Sequence, residues 1–271
     1  MIVQRFDHED ALASALASRL IDAIVRNPRL VLGLPTGRTP LPLYRALRNL
    51  TRRSFVDWSG VRTFNLDEFA GLGGDDRGSY RAFMQEALFD HIPIDPANIE
   101  MLNGRAPDLA AECVRYEAAI AAAGGIDIQI LGIGANGHIG FNEPADELHA
   151  HTHVATLQRA TLEANAMLFG GDPDRVPKCA MSMGMGTILS ARQIVMIALG
   201  EEKSDCVAGM VNDLITTRLP ASFLQVHPHA TVISITPRRA SSFSRTSSLE
   251  FPKNVLRGSV FLCFRVRHLA L

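Results

Sequence analysis

The sequence predicts an α/β fold, a doubly wound and mostly parallel sheet with helices on both faces. Three features point there. Short apolar runs alternate with longer segments of helical spacing, the order expected when helices cover a parallel sheet. Polar, glycine-containing segments follow several of the apolar runs, where open α/β sheets place their ligands. A length of 271 residues, 47% hydrophobic and 20% charged, suffices for one large core.

The expected strands are 30–34, 61–65, 126–133, 193–199, 222–226 and 231–235. Residues 10–25 and 41–50 carry apolar side chains three and four apart and read as helices. Ser79 is placed to cap a helix running to Phe89. Residues 110–123 are rich in alanine, the best helix former, and Gly124-Gly125 would end that helix before the next strand. No internal repeat is visible, so residues 1–236 read as one catalytic domain. From Pro237 to Leu271 the composition changes, with seven Lys/Arg against one acid, Glu250, and six serines. Within this basic tail 237–252 reads as a loop, and the apolar run at 259–264 as a strand.

The net charge of −1 gives no reason to expect nucleic acid or an anionic membrane as partner. Charges at Arg5, Asp7, Glu9 and Asp10 interrupt the N-terminus before a signal peptide could form, and no apolar stretch reaches the ~20 residues that cross a bilayer. Cys113, Cys179, Cys206 and Cys263 are widely spaced without a CxxC pair, which suits buried thiols in a reducing cytoplasm.

The segment LGLPTGRTP, Leu32 to Pro40, runs from a strand into a helix. Thr39 suits the N-cap and Pro40 the first helical position, and such a start directs unpaired N–H groups at an anion. Thr36 and Thr39 add hydroxyl donors, and Gly37 lets the backbone come close to a ligand. The spacing is not that of a nucleotide P-loop, and an ordinary strand-to-helix turn is the alternative. Lys203 follows another strand and would converge on the same crevice, unless it is a solvated surface lysine.

Gly132 to Pro144, GIGANGHIGFNEP, concentrates polar and conformationally permissive residues after a strand. An imidazole, with a free pKa of ~6.5, could move a proton between sugar oxygens at His138. Glu143 could fix its tautomer and Asn136 supply an amide contact. Asp67, in Asn65-Leu66-Asp67-Glu68-Phe69, could take a proton next to a carbonyl if burial raised its pKa; a helix cap or loop acid is the alternative. His149, His151 and His153 lack an acidic or cysteine ligand to complete a metal geometry, and neither GxSxG nor HExxH occurs.

In their order and spacing LGLPTGRTP, FNLDEFAGL, GSYRAFM, LNG at Leu102, GIGANGHIGFNEP, VPKCAMSMGMGTIL and LQVHPHA resemble the glucosamine-6-phosphate deaminases over most of residues 1–236. The resemblance implies a Rossmann-like sugar-phosphate isomerase fold. It also implies isomerisation with deamination of glucosamine 6-phosphate to fructose 6-phosphate and ammonia, without metal or organic cofactor. Asp67 would be the enolisation base, and His138 would assist ring opening with Asn136 and Glu143. Thr36, Gly37, Arg38, Thr39 and Lys203 would hold the phosphate. Oligomeric state varies in this family, which leaves a homo-oligomer open.

The chain departs from the family in three places. His153 and Ala155 stand where the allosteric branch has basic residues, so activation by N-acetylglucosamine 6-phosphate is not expected. Leu162 stands near that branch's phosphate arginine, and the tail lacks the family's closing amphipathic helix. Two other functions compete: a 6-phosphogluconolactonase, which FNEP and LDEF disfavour, and a non-catalytic sugar-phosphate effector domain. The latter needs a helix-turn-helix, for which a first strand near Leu30 leaves too little chain. The sequence does not separate glucosamine from galactosamine 6-phosphate.

Overall fold

The structure is a computed structural model and describes residues 1–235. The expectations for the basic tail and for Cys263 lie outside the described residues.

The elements run β1 (Ile2–Phe6), α1 (Glu9–Arg26), β2 (Val31–Leu34), α2 (Leu41–Ser54), β3 (Arg62–Asn65), β4 (Asp67–Phe69), α3 (Tyr80–Ala87), β5 (Ile99–Glu100), α4 (Leu109–Ala122) and β6 (Ile128–Gly132). Then follow β7 (His153–Thr156), α5 (Arg159–Asn165), β8 (Cys179–Ser182), α6 (Met185–Leu189), β9 (Gln193–Ala198), α7 (Ser204–Asn212) and β10 (Ala230–Ile235). A seven-stranded parallel sheet has the order β1-β10-β9-β6-β2-β3-β5, and β4-β8-β7 form a small antiparallel sheet beside it.

Strand alternation sends successive side chains to opposite faces, and both faces are covered. Leu32, Leu34, Ile128, Ile130, Val195 and Ile197 pack with Leu16, Leu20 and Ile24 of α1 and Leu43 and Leu47 of α2. Val31, Leu131, Ile194 and Met196 pack on the other side with Tyr116 of α4 and Met210 of α7. Each buried leucine contributes about 1.5–3 kcal/mol, so the α1 stripe anchors its helix without help from an N-cap side chain.

Several element boundaries match the chemistry read from sequence. Ser79 Oγ accepts the Ala82 N–H at the start of α3. Gly124 and Gly125, at φ +83° and +84°, close α4 as the Gly125 N–H reaches back to the Ile120 carbonyl at 2.9 Å. Residues 222–226 are not a strand but part of a 3₁₀ helix, Pro220–Val226, whose proline starts a tight turn. The first strand is β1, not the run near Leu30; it is an edge strand, largely exposed, and lacks the apolar run of a buried strand. The helix to Phe89 stops at Ala87, and Phe89–His91 continues as a 3₁₀ turn. Finally, α2 begins at Leu41 with Pro40 at the cap position and no capping side chain, one residue later than Thr39 and Pro40 would set it.

Candidate active site

The chain leaves β2 for β3 and β5 on one side and returns to β6 and β9 on the other. The strand order therefore reverses between β2 and β6, the switch point where open α/β sheets form a crevice at their carboxyl ends. The segments after β2, β3, β6 and β9 carry every residue singled out above.

Asp67 opens β4, whose antiparallel pairing with Ser182 of β8 takes it off the main sheet. It is 6% exposed, and Thr36 Oγ1 donates to its Oδ1 at 3.4 Å. Burial, reinforced by the neighbouring Glu68 charge and opposed by Thr36, raises its pKa to about 7. Asp67 is thus neither a helix cap nor a solvated loop acid. Glu68 is also buried and accepts the backbone N–H groups of Phe69, Tyr80 and Arg81, each at 2.9 Å. Burial nevertheless carries it to about 7 against those donors and the Arg81 charge.

The loop after β6 folds into a compact hydrogen-bonded turn. Gly134 N–H donates to the His138 carbonyl, and Gly137, at φ +82°, makes the bend that only glycine takes readily. Asn136 Oδ1 lies 2.7 Å from His138 Nδ1 and also accepts the His138 backbone N–H, while Asn136 Nδ2 donates to Glu143 Oε2 at 2.8 Å. His138 Nδ1 is 3.5 Å from Glu143 Oε2. With Asn136 Oδ1 as acceptor, Nδ1 carries the proton and Nε2 is left for a ligand. Glu143 is 9% exposed; burial raises its pKa, but the bonds and charge of His138 with the donors Thr161 and Asn136 outweigh this and hold it at about 2.

The two groups share one wall. Ser182 Oγ accepts the Phe141 N–H at 3.1 Å, and a β-carbon at Gly140 (φ +57°) would fall 2.9 Å from Ser182 Oγ and 3.6 Å from Asp67 Oδ2. Gly140 thereby lets the histidine loop close over the aspartate. Asn142 Nδ2 ties the same loop to the carbonyls of Ile139 and Met183.

Of the residues assigned to phosphate, Thr36 contacts Asp67, Thr39 is half-buried, and Gly37 has φ +98° with open space where a side chain would stand. Arg38 is exposed. Lys203 is half-buried at the start of α7, and Cys206 Sγ bonds both its carbonyl and that of Gly134, which places this turn against the histidine loop. Sequence reasoning missed Thr161, whose Oγ1 donates to Glu143 Oε1, and the anchoring role of Ser182. Ser182 lies within the AMSMGMG segment, but Thr161 carries no local signal. His153 stacks on His149 at 4.1 Å between ring centres, while the His151 ring is exposed beside Glu117. Among the described residues no group of three metal-ligating side chains assembles, and no helix is long and apolar enough to cross a membrane.

A near-neutral carboxyl and an oriented imidazole brought together at the switch point define an α/β enzyme of acid–base type acting on a small molecule. The comparisons with known proteins narrow this class. Residues 5–233 match the family model of the glucosamine-6-phosphate isomerases/6-phosphogluconolactonase, and the chain belongs to that family. It is 47% identical over 229 residues to glucosamine-6-phosphate deaminase 2 of Bacillus subtilis, covering 84% of this chain and 92% of that protein. It is 46% identical to glucosamine-6-phosphate deaminase 1 of Giardia intestinalis over 80% of this chain and 82% of that one. Its backbone superposes with a TM-score of 0.84 on a solved monomeric glucosamine-6-phosphate deaminase, 41% identical, over 87% of this chain and 97% of that one. The 6-phosphogluconolactonase of Thermotoga maritima, at 20% identity and a TM-score of 0.65 over 86% of this chain and 99% of that one, shares the fold.

Proposed function

We propose that this protein converts glucosamine 6-phosphate and water to fructose 6-phosphate and ammonia. The observation that carries this is Asp67, a buried carboxyl poised near neutrality, packed under the loop that holds the His138 imidazole by its Nδ1 and leaves its Nε2 without a side-chain partner among the described residues. His138 Nε2 moves the proton that opens the pyranose ring, and Asn136 and Glu143 hold that imidazole in place. Asp67 then takes the proton from C2 of the open chain and returns it to C1. The double bond passes through an enolamine to an imine at C2, which water hydrolyses with release of ammonia. A base with a pKa near the working pH suits such a transfer in both directions. Thr36, Gly37, Arg38, Thr39 and Lys203 receive the phosphate, through hydroxyls, loop N–H groups and cationic side chains.

The relatives named as deaminases share 41–47% of residues with this chain, whereas the lactonases that share the fold stand at 18–20%. Deamination is therefore favoured over lactone hydrolysis. We further infer that residues 1–236 act as one catalytic domain, in the cytoplasm and in amino sugar catabolism. That setting is supported by the half-buried or buried free thiols of Cys113, Cys179 and Cys206 and by the nitrogenous substrate.

Purified protein given glucosamine 6-phosphate should release fructose 6-phosphate and ammonia in equal amounts, and Asp67→Asn should abolish both. A folded wild type that binds the sugar phosphate but releases no ammonia would leave it a sensor and sink the deaminase reading.

A further inference from the structure

Arg45, Arg48 and Arg52 rise from one face of α2 and line a groove of about 620 Å3 whose far wall includes Asp90, His91 and Ile92. The spacing of three and four residues puts the three guanidinium groups side by side, where like charges on a helix repel. Elsewhere arginines meet carboxylates: Arg105 with Asp76, Arg115 with Glu112, Arg192 with Asp127. Among the described residues none of the three α2 arginines makes an ion pair. Asp90, the carboxylate in the wall, accepts from Gln85 instead.

Helix electrostatics account for only part of this. Arg52 lies in the last turn of α2, where the dipole favours a cation. Arg45 lies one turn from the other end, where it does not. Arg48 Nη1 donates to the Ala87 carbonyl at 3.5 Å, so one guanidinium is already tied to the end of α3. The volume falls within the ~300–1,000 Å3 of small-molecule sites, and planar guanidinium groups match phosphate oxygens in bidentate fashion.

We infer that this groove binds a small molecule carrying a phosphate or diphosphate group, at a site separate from the crevice at the strand ends. An anion there replaces the missing carboxylates and relieves the repulsion along α2.

Pyrophosphate is the probe, and calorimetry on the full chain is the measurement. Arg45→Gln/Arg52→Gln should weaken pyrophosphate binding by at least about tenfold, the loss expected when charge-assisted hydrogen bonds to an anion go. The KM for glucosamine 6-phosphate should change by less than about twofold, because neither residue lines the strand-end crevice. In wild type, titration should shift the side-chain N–H resonances of Arg45, Arg48 and Arg52. Equal affinity in variant and wild type, absence of binding at millimolar ligand, or shifts confined to the 36–39 loop would each overturn the site.

Discussion

Asp67 and Glu143 are almost equally buried, at 6% and 9% exposure, yet their carboxyl groups are driven in opposite directions, to about 7 and about 2. Burial raises both, and Asp67 more because it is the more deeply enclosed; the rest of the difference lies in their hydrogen-bond donors. Among the described residues Asp67 has a single side-chain donor, at 3.4 Å, and an acidic neighbour in sequence. Glu143 has Asn136, Thr161 and His138 around its two oxygens. Two carboxyl groups of one site are thus set for different tasks: in the proposed mechanism one trades protons near neutrality, while the other stays charged and orients the imidazole.

Removing the trading group should cost most. Asp67→Asn should lower kcat by ~10²–10⁴-fold, as loss of a general base does, while thermal unfolding is unchanged or raised because a desolvated acid has been replaced by a neutral isostere. Glu143→Gln should follow at ~10²-fold in kcat with little change in KM, since the carboxylate holds the histidine and not the substrate. Its substitution should also perturb the His138 ring resonances, which a purely structural role elsewhere would leave alone.

The opposed shifts have opposite consequences for pH. Asp67 becomes a base as pH rises through about 7, so kcat/KM should climb across that range on its acid side. Because its folded pKa is raised above an unfolded value of ~3.9, the native state holds a proton that the unfolded chain releases, and this contribution to stability falls between ~4 and about 7 as pH rises. Glu143 behaves in reverse: its contribution is complete above ~4.3 and is lost as pH falls toward about 2. Urea melts across pH 3–8 should show the loss toward pH 7, diminished in Asp67→Asn.

Smaller effects sharpen the contrast. Thr161→Val removes a donor to Glu143 and should raise its pKa and lower kcat by about tenfold or less. Thr36→Val removes the Thr36 donor to Asp67 and should move the acid limb of the kcat/KM profile up by a few tenths of a pH unit.

Much of this site was legible in the sequence because its geometry is local. Asn136, His138 and Glu143 lie within eight residues, and the turn that joins them is written in Gly134, Gly137 and Gly140. Asp67 was legible as a strand-end acid, but its burial was not, since that depends on β8 pairing with β4 from more than a hundred residues away. Thr161 was hidden for the same reason: only the docking of α5 brings it to Glu143. In the fold, strands buried on both faces stood out as apolar runs, whereas exposed β1 and the short strands of the small sheet did not. The apolar run at 222–226 misled because short runs do not distinguish a strand from a tight helix; the 3₁₀ helix Pro220–Val226 packs Ala221 and Leu224 into the core beside the histidine loop, with the Ala221 N–H on the Gly137 carbonyl.

The difference between the two carboxyl groups is most directly tested by carbon-13 NMR titration of protein labelled at the aspartate and glutamate carboxyls, with Asp67→Asn and Glu143→Gln to assign the signals. The Asp67 signal should pass through its midpoint near pH 7, while the Glu143 signal keeps its ionised position down to at least pH 4. A midpoint near ~4 for both, the ordinary carboxylate range, would contradict the account.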